Sequence, residues 1–268
     1  MFSTFNSFHS NSRRGNIKSI LKKIDSSGLI LWFDALDPNN TGVQPANSSN
    51  ITIWKDKSGL GSDATANTPI VYNSTGMNGK PALTFTSSQW LLGSTINNTP
   101  NMTIFSVCLM NSSSARYARI IGLSTGPGLA DSDSTTAGCF RRQGGTGFSG
   151  ERGGFTQMDN NPPNYSTPYL FETWFDGVNN YSTVQQGNST SIVSSGSSGN
   201  FAINNFAIAT TPNTGDINGP LNGFISEVIV YKTTLTAVQR QVVEGYLSWK
   251  WGIQSNLPST HPYFSAPP

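Results

Sequence analysis

Gly28-Leu29-Ile30-Leu31-Trp32-Phe33-Asp34 is the stretch on which the fold turns. Its five consecutive apolar residues, closed by Asp34 and the turn formers Asp37-Pro38-Asn39, read as a short buried strand. Working outward, Ile51-Thr52-Ile53-Trp54 alternates in the same way and stops at the turn cluster Lys55-Asp56-Lys57-Ser58-Gly59. Ala82-Leu83-Thr84-Phe85 and Gln89-Trp90-Leu91-Leu92 flank a further turn, Met102–Met110 is the clearest strand of the first half, and Arg119-Ile120-Ile121-Gly122-Leu123 follows it. Tyr169–Phe175 and Tyr181–Gln185 enclose Asp176-Gly177, a hairpin signal. Phe201-Ala202-Ile203, Phe206–Ala209 and Phe224–Tyr231 complete the series. Repeated short strands without intervening helices predict a sandwich rather than a parallel α/β sheet.

The interval 124–166 is rich in Gly, Ser, Asp and Asn and reads as long loops, a length at which loops commonly carry function. One helix is predicted near the end. Thr236-Ala237-Val238-Gln239 has the form of a capping box, Val238, Val242, Tyr246 and Trp249 form an apolar stripe with Val243 and Leu247 beside it, and Gly252 supplies the stop. Leu257–Pro268 is proline-rich and is expected to lie extended over the surface.

Composition narrows the function. At 268 residues the chain can bury a core without disulfides or metals, and a net charge of +2 gives no electrostatic argument for nucleic-acid binding. No apolar run is long enough to span a membrane as a helix, and Met1-Phe2-Ser3-Thr4-Phe5 lacks the pattern of a secretory leader. Two cysteines, Cys108 in a strand-like run and Cys139, leave one disulfide open, and with no leader they point to a reducing compartment.

Residues 1–27 look separate from the body at 28–268. Phe2, Phe5 and Phe8 sit in a polar tail without periodicity, followed by Arg13 and Arg14. Ile17–Ile24 then spaces apolar residues as a short helix with Lys18 and Lys22 on a basic face. It is either a helix packed on the domain or part of an arm that docks on a partner. Phenylalanines in a polar tail suit an arm that buries them elsewhere.

An ordered motif set now emerges. It runs from Leu31-Trp32-Phe33-Asp34-Ala35-Leu36-Asp37 through Trp54-Lys55-Asp56-Lys57-Ser58-Gly59 with Asp63-Ala64 to Gly79-Lys80-Pro81-Ala82-Leu83. It continues with Gly223–Tyr231, then Glu244-Gly245-Tyr246-Leu247-Ser248-Trp249-Lys250-Trp251-Gly252, and finishes at His261-Pro262-Tyr263. Over residues 28–268 this resembles the concanavalin A-like, laminin G-like jelly-roll modules of phage and giant-virus particle proteins and of some bacterial surface proteins. The resemblance implies an all-β jelly-roll sandwich with one C-terminal helix and a short N-terminal helix. It implies a non-catalytic virion protein, a capsid-associated or surface-decorating subunit whose partners are other particle proteins. The alternative is a lectin-like carbohydrate-binding module, extracellular or on a surface, for attachment to host glycans. The fold alone does not choose, since it hosts unrelated activities.

The residues have their own reading. Trp32, Trp54 and Trp90 are expected in the core, and Asp56 is expected to bond amides of its own turn. Glucanases of this fold carry a Glu-x-Asp-x-Glu strand, and none is present. Glu151, Glu172, Glu227 and Glu244 stand alone in the chain, and His9 and His261 fall in terminal segments, so no enzyme is expected. No cofactor motif occurs. Asp131, Asp133 and Asp159 offer oxygens of the kind calcium takes, in no diagnostic spacing. Arg141, Arg142, Phe148, Arg152, Phe155 and Tyr165 are the candidate ligand-loop residues, with Tyr169 beside them.

Overall fold

The computed structural model describes residues 20–97, 101–111, 118–125, 136–141, 148–152, 155–159, 165–185, 192–195, 202–210 and 220–268. Among these, fifteen strands form one continuous antiparallel ladder in the order β10-β9-β8-β7-β14-β5-β3-β4-β15-β6-β11-β12-β13, with β1 on β15 and β2 on β3. The expected buried run is β1 (Leu29–Asp34), and every one of its residues is buried. It pairs with β15 (Asn222–Tyr231), the hub of the fold. One flank of β15 takes β6 (Asn101–Met110), and the other takes β4 (Lys80–Thr86) along its first half and β1 along its second. The handover falls at a bulge between Ile225 and Glu227, where Ser226 donates to the Pro81 carbonyl and accepts the Ala35 amide on its own carbonyl. The hairpin read around Asp176-Gly177 is present as β11 (Tyr169–Asp176) and β12 (Asn179–Gln185).

The ends of the ladder meet. β9 (Phe148–Arg152) and β10 (Phe155–Asp159) lie against β12 and β13 (Ile192–Ser195), so the ladder curls around its apolar face. The result is the all-β, jelly-roll-like sandwich the sequence predicts. Phe33 sits at the centre, its ring 5.5 Å from both Trp54 and Phe206.

Several local readings are corrected. The interval 124–166 is not loop throughout. It supplies β8 (Thr136–Arg141), β9 and β10, which stack in order onto β7 (Arg119–Ser124). These strands are short, and β8 and β9 contain Gly138 and Gly150, so backbone pairing rather than side-chain period specifies them. The same holds for β3 (Ala64–Met77), a largely exposed strand of 14 residues held by β2 (Asn50–Trp54), β4 and β5 (Leu91–Asn97). The two apolar pieces near Phe206 are one strand, β14 (Ile203–Ile208). Trp90 precedes β5 and is half-buried, not a core residue.

The helix α1 (Ala237–Trp251) begins in the predicted capping box, with Thr236 and Gln239 each bonding the other's backbone amide, and ends at Gly252 in the left-handed region. Its buried face is rotated from the centre of the predicted stripe toward the flanking Val243 and Leu247. Val238 is exposed, while Val243, Tyr246, Leu247 and Trp251 are buried. The C-terminal tail explains the shift, because it covers a second side of the helix: Trp249 donates to the Tyr263 carbonyl, and Tyr263 lies where a Cβ on Gly245 would be. That tail runs in successive turns rather than extended, His261 N to Pro258 O and Phe264 N to His261 O.

Residues 20–24 form a helical turn packed on the body. Leu21 is fully buried, its carbonyl accepts the Tyr231 hydroxyl, and the Ile24 carbonyl accepts Gln239. Burying Leu21 supplies roughly 1.5–3 kcal/mol.

Candidate functional site

The motif residues assemble into one buried charge network. Glu227 on β15 accepts Trp32 Nε1 (2.8 Å) and the Tyr246 hydroxyl (3.1 Å) on Oε1. On Oε2 it accepts Trp251 Nε1 (2.6 Å) and Lys250 Nζ (2.7 Å). Lys250 reaches Asp34 Oδ1 at 3.0 Å, and Lys57 lies 3.3 Å from Asp37 and 3.5 Å from Asp34. Burial works to raise Asp34, but Lys250 and Lys57 hold its carboxyl below the usual range. Burial lifts Glu227 above its usual range; Lys250 opposes the lift and Asp34 adds to it. Asp56 closes the next turn as expected, accepting the amides of Trp32, Ser58 and Ser62. This network fixes the helix to the sandwich and leaves no acceptor of Glu227 for a ligand.

A second cluster lies under the first two turns of α1. Glu172 and Trp174 sit two apart on one face of β11, with Thr183 of β12 opposite Glu172. Ala237, Arg240, Gln241 and Glu244 supply a helix stripe above them, and Pro258, Thr260 and His261 of the tail close the side. Together they enclose a cleft of about 230 Å³. Arg240 Nε is 3.0 Å from Glu172 Oε1, and its guanidinium lies 3.9 Å over the Trp174 ring. The other face of Trp174 stacks on Tyr181 at 5.0 Å, so neither face is open.

His261 Nδ1 accepts the Tyr263 amide, which puts the ring proton on Nε2, 2.9 Å from Glu244 Oε2. Burial, and then the adjoining Glu244 carboxyl, hold Glu172 well above the usual range. Burial also works to raise Glu244, but hydrogen bonds from His261 and Glu172 hold it below. One proton is therefore shared between two carboxyls, since like charges in contact do not both ionise. The glutamates read as isolated are thus corrected: the fold joins Glu172, Glu244 and the terminal His261. Sequence carried only a faint signal of this, the i, i+4 pair Arg240/Glu244 on a helix.

A third feature is open. Leu92 and Ser94 of β5, flanked by Thr65 of β3 and Asn205 of β14, floor a groove of about 480 Å³ on the sheet's outer face. The loop Gly61-Ser62-Asp63 walls it. Asp63 is held by Lys55 Nζ (2.6 Å) and the Asp56 amide (3.0 Å). Gly93 is required there, because the Phe206 ring lies 2.3 Å from where its Cβ would stand. The groove presents a carboxylate, an amide and several hydroxyls around one apolar side chain.

Of the residues singled out from sequence, Phe2, Phe5, Phe8, Arg13, Arg14, Lys18 and Arg142 lie outside the described residues. Lys22 is exposed on the packed helical turn, close to Gly59. Arg141, Phe148, Arg152 and Phe155 are on β8, β9 and β10, and Tyr165 is a half-buried turn residue. Tyr169 is a correction: it is fully buried on β11, not in a loop. Asp131 and Asp133 lie outside the described residues, and Asp159 is on β10. Among the described residues no group of three or more His, Cys, Asp or Glu is placed to hold a metal ion.

Three solved structures share this architecture. Domain 4 of an extracellular arabinanase from Geobacillus stearothermophilus, solved with arabinotriose, superposes with a TM-score of 0.55 at 13% identity, over 79% of this chain and 96% of that one. The receptor-binding domain of a mosaic botulinum neurotoxin gives 0.55 at 9% identity, over 81% of this chain and 50% of that one. The sialidase of Trypanosoma rangeli, solved with sialic acid, gives 0.51 at 12% identity, over 85% of this chain and 38% of that one. The fold is a β-sandwich shared with these domains. This chain spans about half of the neurotoxin domain and well under half of the sialidase. No protein-family model matches the sequence, and no curated protein does.

Proposed function

We infer that the protein is a lectin-like carbohydrate-binding module that holds a neutral glycan in the Asp63–Asn205 groove and does no chemistry on it. The observation that carries this is the groove itself: an open, hydroxyl- and amide-lined surface of about 480 Å³ on a sheet face. The arabinanase domain with its bound arabinotriose supports the choice of ligand class. A non-catalytic role is supported by the carboxyls. Glu172 and Glu244 adjoin and share one proton, unlike the separated acid and nucleophile that glycoside hydrolysis requires. The test is a glycan array followed by calorimetry on the wild type and on Asn205→Trp, which fills the groove from a half-buried strand position. Selective binding lost in the variant supports the module; absence of binding to any glycan ends it.

A second reading is a subunit of a large-DNA-virus particle, located in the virion with other capsid proteins as partners. It is supported by the motif resemblance alone. The two roles are compatible where a particle-surface protein attaches to glycans. Mass spectrometry of purified particles tests it, and absence of the protein from them rejects it.

A further inference from the structure

We propose that the cleft beneath the first two turns of α1 is a second binding site, which takes a single neutral polyhydroxylated ring, a monosaccharide or a cyclic polyol. The proposal does not rest on the groove, with which the cleft shares no residue.

The floor of the cleft is incomplete. Glu172 is fully buried and gives its proton toward the Glu244 carboxyl, yet neither of its oxygens receives an aligned hydrogen bond among the described residues. Arg240 Nε stands 3.0 Å from Oε1 as an ion-pair contact. Buried acceptors are nearly always satisfied, so a buried carboxyl facing an open cleft calls for a donor from outside. A ligand hydroxyl supplies it.

Charge selects the class. The cleft holds one fixed cation, Arg240, and one fixed anion, Glu244, while His261 is engaged on both ring nitrogens, by the Tyr263 amide and by Glu244. An anion placed there meets Glu244 and the Glu172 oxygens. A cation meets the guanidinium. A neutral molecule that both donates and accepts meets neither obstacle: its hydroxyls donate to Glu172 and accept from the Arg240 side.

Size and shape narrow it further. About 230 Å³ is below the ~300 Å³ at which drug-sized pockets begin, and equals the liquid volume of roughly eight waters. That is room for one ring with its hydroxyls. Both faces of Trp174 are occupied, by Arg240 and Tyr181, so recognition is by hydrogen bonds around the ring and not by stacking on an aromatic plane.

The test is a titration of the full ¹⁵N-labelled chain with glucose, galactose, arabinose and myo-inositol, with acetate and methylammonium as charged controls. Reporters are the Trp174 indole N–H and Arg240 Nε–H for the cleft, and the Ser94 and Asn205 amides for the groove. The expected result is a saturable shift of the cleft reporters with at least one neutral ring and none with the charged controls. Ala237→Trp, at an exposed position on the cleft mouth, abolishes it without touching a buried group. Glu172→Gln keeps the volume but replaces part of the acceptor, and weakens it about tenfold, the equivalent of one buried hydrogen bond. Unmoved cleft reporters, shifts that survive Ala237→Trp, or stronger binding of a charged control each overturn the proposal. Groove reporters responding alone overturn it while leaving the proposed function standing. Cleft reporters responding alone support it and count against the groove.

Discussion

Two buried charge clusters hold opposite halves of one helix against the sandwich, and they are built to different standards of completeness. Under the C-terminal half, each Glu227 oxygen has two donors and Lys250 is shared by two carboxylates. Under the N-terminal half, Glu172 is as deeply buried, has no aligned donor, and faces a cleft. A closed polar network specifies packing. An unfinished one, at the same depth, leaves hydrogen-bonding capacity that a ligand can complete.

The contrast can be broken at the closed end first. Lys250→Met leaves Asp34 and Glu227 buried without the cation they share, and is expected to destabilise by about 3–5 kcal/mol in guanidinium denaturation. A loss under about 1 kcal/mol would mean the network is not what fixes the helix.

The tail joins the two ends of the contrast. Gly245→Ala gains about 1 kcal/mol of helix propensity but drives a methyl to within 2.6 Å of Tyr263 Cβ. The expected net loss is about 1–2 kcal/mol, with the segment after Leu257 cleaved faster by protease. Unchanged cleavage would show that the tail does not depend on this contact.

The smallest effect sharpens the open end. An unfolded glutamate ionises near about 4.3. Burial and the Glu244 carboxyl hold folded Glu172 well above that. Its contribution to stability is therefore fully present below about 4.3 and is lost as pH rises through its folded value. Glu244 is held low, so its contribution is present above about 4.3 and is lost as pH falls through its folded value. Arg240 keeps its charge throughout. Glu172→Gln removes only the first dependence: the wild-type melting temperature is expected to decline as pH rises through the folded Glu172 value, and in the variant that decline is expected to flatten while the acid limb stays. An unaltered slope would place the ionisation elsewhere.

What could be read from sequence follows the same division. β1, β6, β11 and β15 are apolar runs, and the closed network is spelled by motif residues around Asp34, Lys57, Glu227 and Lys250, so fold and helix docking were both legible. The capping box at Thr236 and the stop at Gly252 were legible because they are local. β3 and β8–β10 were not, because polar and Gly-containing strands exist only through their partners. Nor was the cleft: Glu172, Arg240 and His261 lie on a hairpin, a helix and a tail, and no spacing in the chain foretells their meeting. The helix stripe was misplaced for the same reason, since the tail that buries its second side contacts it only in three dimensions.

The pairing of β1 with β15 also has a temporal side. About 190 residues separate Asp34 from Asn222. At synthesis rates of about 5–20 residues per second, Leu29–Asp34 emerges about 10–40 s before the strand it pairs with exists. For that interval the most apolar stretch of the domain has no native neighbour, which makes it the natural client of a holding chaperone and the first place for nascent chains to associate with one another.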